Sequence, residues 1–270
     1  MSKAVSMLAL FLTLAFSFLA QAGVGEFPGR DKYPDLPYIE LQDLYAKRNQ
    51  VVIVDARSSL EYDTLRVKGA INIPVADKTF EEQVMKLRSE NAKPIVFYCN
   101  GRSCMKSFHA VKKSLDVGVK EVYAYDAGIF EWAIAHPDVA ILLDQTPVDV
   151  KRLISKQDFH KRLLNPDNFS SKAIDMGNDS VVLDVRDKYQ RAGVGFYPGK
   201  ERWASLDNKE KLGKYLLKAK QGNKTVFIYD EVGKQVRWLQ YELEKLGIKN
   251  YYFMDKGARA YYADLANWKK

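Results

Sequence analysis

Short apolar runs alternate with longer stretches of helical period along this chain, and the alternation occurs twice. Val51 to Asp55 is a continuous apolar run closing on an acid, the pattern of a strand buried on both faces. Phe80 to Leu87 and Cys104 to Leu115 carry helical spacing, Glu121 to Tyr125 reads as another strand, and Ile129 to Ala135 as a closing helix. Further on, Lys209 to Lys218 and Gln235 to Leu246 take the helical roles, with Thr225 to Tyr229 and Tyr251 to Met254 as strands. This order predicts the α/β class: two domains, each a parallel β-sheet flanked by helices. Pro137 to Lys151 reads as the connector, and Asn165 to Ser180, rich in Asn, Asp and Ser, as a surface loop.

The two halves repeat each other in detail. Val51-Val52-Ile53-Val54-Asp55-Ala56-Arg57 reappears as Val181-Val182-Leu183-Asp184-Val185-Arg186, and Pro94 to Tyr98 answers Thr225 to Tyr229. Asp126-Ala127-Gly128 before Trp132 answers Asp255-Lys256-Gly257 before Tyr261, and the lead-in Tyr38 to Leu44 resembles Leu153 to Phe159. Two related domains are expected, at 37–140 and 151–270. They differ at one telling place: after its strand the first has Cys99-Asn100-Gly101-Arg102-Ser103-Cys104, the second Asp230-Glu231-Val232-Gly233-Lys234.

A chain of 270 residues, 47% hydrophobic and 28% charged, can bury a core in each half and is neither disordered nor fibrous in composition. Its net charge of +8 is spread without a run of five basic residues, which suits a solvated surface with no particular partner, or else one that draws small anions, better than a nucleic-acid footprint. At the amino terminus Lys3 precedes an apolar run from Met7 to Leu19 that ends in Ala20-Gln21-Ala22, so residues 1–22 read as a cleaved export signal. A periplasmic or otherwise extracytoplasmic location follows, without stable membrane insertion after cleavage. An uncleaved anchor is the competing reading. His109, His136 and His160 stand apart from one another and from the cysteines, so neither a metal site nor a cofactor is expected.

Cys99 is the candidate nucleophile. The strand before it delivers it to the carboxyl edge of a parallel sheet, just ahead of a helix. Backbone amides and a helix amino terminus there favour the thiolate, and lowering a thiol pKa by two units takes about 2.7 kcal/mol. Charge-assisted N–H contacts can supply that without a histidine. Gly101 permits a tight loop, and Arg102 offers a guanidinium for an anionic sulfur donor. The alternative, a buried core cysteine, suits a strand-end loop poorly.

Taken together, Val54-Asp55-Ala56-Arg57, Glu61-Tyr62, Gly69-Ala70-Ile71-Asn72-Ile73-Pro74, the Cys99 loop and Asp126-Ala127-Gly128 before Trp132 resemble the tandem-domain rhodaneses, a thiosulfate sulfurtransferase family. The resemblance implies that Cys99 takes the outer sulfur of thiosulfate or a related small anionic donor and releases sulfite. A persulfide is left for cyanide, a thiol or a protein sulfur acceptor. Asn100, Gly101, Arg102, Ser103 and Cys104 are then the substrate-binding loop. Arg66 and Cys104 depart from the family, which often has histidine and arginine at these places, and better-known tandem members carry the cysteine in the second domain. A related phosphatase loop needs arginine six residues after the cysteine, where Met105 stands.

Asp230 cannot carry a persulfide, so the second domain is expected to be inactive, with Asp230 an ordinary cap or exposed acid rather than a carboxylate filling an anion nest. Asp55 with Arg57, and Asp184 with Arg186, are expected to be structural buried ion pairs. Cys104 is expected to pack as a small apolar residue at the start of a helix. Two other functions stay open: a persulfide carrier without turnover, and a thiol–disulfide redox protein using Cys99 and Cys104.

Overall fold

The computed structural model describes residues 26–186, 188–191, 195–206 and 208–267; the expected export signal lies outside the described residues. The first half runs α1 (Pro28–Lys32), α2 (Leu41–Lys47), β1 (Val52–Asp55), α3 (Ser59–Thr64), β2 (Leu65–Val67), β3 (Ile71–Asn72), α4 (Phe80–Glu90), β4 (Ile95–Tyr98), α5 (Lys106–Asp116), β5 (Val122–Tyr125), α6 (Gly128–Ala135) and β6 (Ala140–Leu142). The second runs α7 (Lys156–His160), β7 (Leu163–Leu164), α8 (Pro166–Asp175), β8 (Ser180–Asp184), α9 (Lys188–Arg191), β9 (Glu201–Trp203), α10 (Lys209–Gln221), β10 (Thr225–Tyr229), α11 (Val236–Lys245), β11 (Tyr251–Met254) and α12 (Gly257–Asn267).

Each half is built on a parallel sheet flanked by helices. The first has the order β3-β1-β4-β5 and the second β7-β11-β10-β8-β9. The central strands β1, β4 and β10 are buried throughout, which is why their sequences are unbroken apolar runs rather than alternations. Helix α5 turns Ser107, Ala110, Val111 and Ser114 inward at helical spacing, and α10 does the same with Leu212, Leu216 and Ala219.

Register decides where the chemistry lies. Asp55 pairs with Tyr98 and Tyr98 with Tyr125, so the residues that follow these strands leave one edge of the sheet together. In the second sheet Tyr229 pairs with Asp184, and Asp230 leaves the corresponding edge. The halves share one contiguous apolar cluster, in which Ile53, Tyr98 and Trp132 are joined to Leu206, Leu212, Trp238 and Leu239.

Two expectations about the connections are corrected. The stretch Asn165 to Ser180 is not a surface loop: it holds α8, because the Asn165 side chain caps the Asn168 amide, Pro166 starts the first turn, and Phe169 and Ala173 fall on one buried face. Polar composition hid an amphipathic helix. The connector Pro137 to Lys151 likewise contains β6, which pairs antiparallel with β2, Leu65 opposite Leu142.

Candidate active site

The loop from Cys99 to Lys106 begins where β4 ends and closes on α5. The Cys99 carbonyl accepts from the Ile129 amide at 3.0 Å, and the Cys104 amide donates to the Gly101 carbonyl at 2.8 Å, folding the loop back over its own start. The close approach of α6 depends on Gly128, whose φ of +78° suits glycine and whose position a Cβ would crowd against the Gly101 and Asn100 backbone.

The fold-back sorts the two thiols. Cys99 is fully buried, and its Sγ donates to the Cys104 carbonyl at 3.2 Å and lies 3.7 Å from the Ser107 hydroxyl. Burial pushes the Cys99 thiol well above its usual range, its interactions with Cys104 push the same way, and the Ser107 amide and hydroxyl only partly offset them. A thiolate at that place would face a carbonyl oxygen, so the proton stays. Cys104 is partly exposed. Its pKa is brought down to about 6, first by the neighbouring Cys99 side chain, against the cost of burial, then by the Lys106 and Asn100 amides and the charge of Lys106. The expectation of a favoured thiolate at Cys99 is therefore corrected, and so is that of Cys104 as an inert apolar residue: α5 starts only at Lys106, leaving Cys104 in the loop.

The other loop residues have structural duties. The Asn100 side chain accepts from Arg57 at 3.1 Å and donates to Glu61 at 2.7 Å, locking the loop to α3. Arg102 is paired rather than free: its Nε and Nη2 grip Glu131 at 2.5 and 2.9 Å while Nη1 binds Glu26, and its side chain stays partly exposed. Ser103 is exposed at the loop crest. Beneath them, Asp55 and Arg57 are both fully buried and meet at 2.5 and 2.8 Å, with Arg57 also donating to the Leu65 carbonyl.

Lys106, Ser107 and Glu61 also take part, though nothing in the sequence reading placed them here. Glu61 is 3% exposed and accepts from Lys106 at 3.0 Å. Burial alone would raise its pKa, but Lys106, Arg57 and Asn100 together bring it down to about 2. The Ser58-x-x-Glu61 spacing, a capping box at the start of α3, was a legible signal for Glu61 as a helix start; its reach to the loop was not.

In the second half Asp230 occupies the place of Cys99. Its carbonyl accepts from Ala258 at 2.8 Å, as that of Cys99 does from Ile129. It is 4% exposed, and its carboxylate fills a ring of amides: Val232 at 2.9 Å, Gly233, Gln235 at 2.6 Å and Val236 at 3.2 Å. The expectation of an ordinary cap or exposed acid is corrected, since four backbone donors converge on one buried side chain.

Residues 39–135 match the model of the rhodanese-like domain. Curated relatives include the HTH-type transcriptional regulator Rv0324 of Mycobacterium tuberculosis, 36% identical over 86 residues, which cover 32% of this chain and 36% of that protein. Another is the tRNA uridine(34) hydroxylase of Cytophaga hutchinsonii, 31% identical over 88 residues, 32% of this chain and 28% of that protein. The match thus spans about a third of these relatives' lengths. Among solved structures, the BH2092 protein of Bacillus halodurans is 22% identical with a TM-score of 0.37, covering 45% of this chain and 88% of that one. The thiosulfate sulfurtransferase of Pseudomonas aeruginosa is 18% identical with a TM-score of 0.36, covering 87% and 46%. Among the described residues no helix is long and apolar enough to cross a membrane, and no group of three or more His, Cys, Asp or Glu could hold a metal ion.

Proposed function

We propose that the rhodanese-like domain moves sulfane sulfur from thiosulfate or a related anionic donor to a thiophilic acceptor, and that the sulfur enters on Cys104 rather than Cys99. The observation that carries this reading is the difference between the two cysteines: Cys99 is fully buried with its Sγ donating to the Cys104 carbonyl, whereas Cys104 is partly exposed in the loop and its thiol pKa is lowered. The Cys104 thiolate attacks the outer sulfur of thiosulfate; a new S–S bond to Cys104 forms as the S–S bond of the donor breaks, and sulfite leaves with the electron pair. Cyanide or a thiolate then takes the outer sulfur and returns Cys104 as thiolate. No net oxidation of the protein occurs. The Asp230 loop has no thiol and serves this reading only as scaffold.

The same pair supports a second reading, because the two cysteines share one loop, with the Cys99 Sγ 3.2 Å from the Cys104 carbonyl oxygen, and an oxidant could close a disulfide between them. Intact-mass measurement after thiosulfate exposure separates the two: a gain of about 32 mass units marks a persulfide, a loss of about 2 a disulfide. Sulfur transfer to cyanide is expected to vanish in Cys104→Ser and to persist, slowed, in Cys99→Ser. Loss only in Cys99→Ser, with the added sulfur mapped to Cys99, returns the carrier role to that residue. Stoichiometric loading with negligible turnover would make the domain a sulfur carrier.

A further inference from the structure

At the edge of the second sheet opposite the Asp230 loop lies a hollow of about 420 Å³. It is formed where β8, β9 and β10 begin: Ser180 and Val181 open β8, Lys200 precedes β9, and Lys224 precedes β10. Tyr215 and Lys218 reach it from the last turns of α10. Four cations, Lys200, Arg202, Lys218 and Lys224, line it, and no Asp or Glu does. Its size falls in the range of small-ligand sites, roughly 300–1,000 Å³.

These cations have no carboxylate to answer them. None of the four takes part in an ion pair among the described residues, and the acid nearest in sequence, Glu201, is committed elsewhere, to Arg191 at 3.2 Å, the Phe196 amide and the Tyr229 hydroxyl. Nor are the lysines consumed in closing α10. The Lys218, Ala219 and Lys220 carbonyls accept from the amides of Gly222, Lys224 and Asn223 at 3.1, 2.9 and 3.0 Å. Lys200 and Lys224 are both partly buried. Arg202 and Lys218 are exposed; like charges gathered around one hollow repel, and a polyvalent anion relieves that repulsion.

We propose that this hollow is a binding site for a compact polyvalent oxyanion of the diphosphate class, held by Lys200, Arg202, Lys218 and Lys224, with any uncharged part of the ligand lying against Tyr215 and Val181. A single monovalent anion would leave most of the charge unanswered. In keeping with this, burial and the neighbouring Lys224 lower the Lys200 ammonium below its usual pKa. The site is separate from the cysteine loop, which lies on the other half of the chain, and does not depend on the function proposed for it.

The test is calorimetric titration of the full chain with inorganic pyrophosphate, in chloride buffer at physiological ionic strength, with sulfate as the divalent comparator. Saturable binding is expected, tighter for pyrophosphate than for sulfate. Lys200→Gln/Lys224→Gln is expected to weaken it about tenfold or more, while Lys32→Gln/Lys112→Gln, on another face, leaves it unchanged. An unaltered circular dichroism spectrum checks that both variants are folded. Absence of saturable binding in the unaltered chain, or equal weakening by the two double variants, overturns the proposal.

Discussion

The two cysteines differ by environment rather than by kind, and the difference is measurable in the pH dependence of the loop. Cys104 owes its lowered pKa first to the neighbouring Cys99 side chain, and only then to the Lys106 and Asn100 amides. Alkylation of Cys104 by iodoacetamide is therefore expected to rise through a midpoint near 6 and to be on its plateau by neutral pH. Cys99→Ala removes that neighbouring thiol and should move the midpoint upward by about one unit or more, which is at least 1.4 kcal/mol of lost anion stabilisation. Cys99→Ser keeps a hydroxyl donor and should move it less. A midpoint that stays put in Cys99→Ala would mean that the amides alone hold the thiolate. The sequence placed a cysteine at a strand end correctly, because an apolar run closing on Tyr98 is visible in one dimension. It could not say which sulfur faces solvent, since that is decided by the Cys104-to-Gly101 hydrogen bond and by the approach of Gly128, contacts between parts of the chain with no shared pattern. The ion pairs of Arg102 were hidden for a similar reason: its partners Glu131 and Glu26 lie 29 and 76 positions away.

Among the elements, α3 ties the loop to the sheet, and its capping box is where the tie can be tested. The folded-state pKa of Glu61 is about 2 against an ordinary 4.5, a depressed carboxylate. Such a group adds stability that is fully present above pH 4.5 and is lost as pH falls through 2. The shift corresponds to roughly 3 kcal/mol, little screened by solvent because the side chain is nearly inaccessible. Glu61→Gln is thus expected to lower the unfolding free energy at pH 7 by about 2–3 kcal/mol and to flatten the acid limb of the stability curve between those two pH values. Urea unfolding at several pH values reads both effects; an acid limb as steep as before would show that the carboxylate contributes little. The elements themselves were legible where hydrophobic period was strong, as in β1, β4, β10, α5 and α11. They were illegible where polar residues dominate a short helix: α8 buries only Pro166, Phe169 and Ala173, too few to stand out from the Asn and Asp around them. The Asp230 nest was equally hidden, because four amides converge there only after the loop has turned back onto Gly257, a position with φ of +62°.

At the scale of the molecule, the question is whether the two sheets stand or fall together. Their apolar clusters are not separate: residues of β1, β4 and α6 belong to the same contiguous group as Leu206, Leu212 and Leu239. Trp238 of α11 sits at this junction, stacked on Phe130 of α6 with centroids 5.4 Å apart and lying 5.0 Å from the Arg57 guanidinium. Arg237 covers the Phe130 ring from 4.5 Å, and Lys209 pairs with Asp63 at the rim. The exposed rim pair contributes little, so the coupling between halves resides mainly in the buried rings. A single cooperative transition is expected in calorimetry of the unaltered chain, since each half would expose apolar surface if the other melted. Trp238→Ala leaves a cavity in the shared cluster and should cost about 3–5 kcal/mol. Because Arg57 holds Asn100, and through it the cysteine loop, the same variant should also slow the sulfur transfer proposed for Cys104 more than its global stability loss explains, when assayed well below its melting temperature. Two resolved transitions in the unaltered chain, or a Trp238→Ala variant with full transfer activity, would show that the second half neither shares the core energetically nor braces the loop.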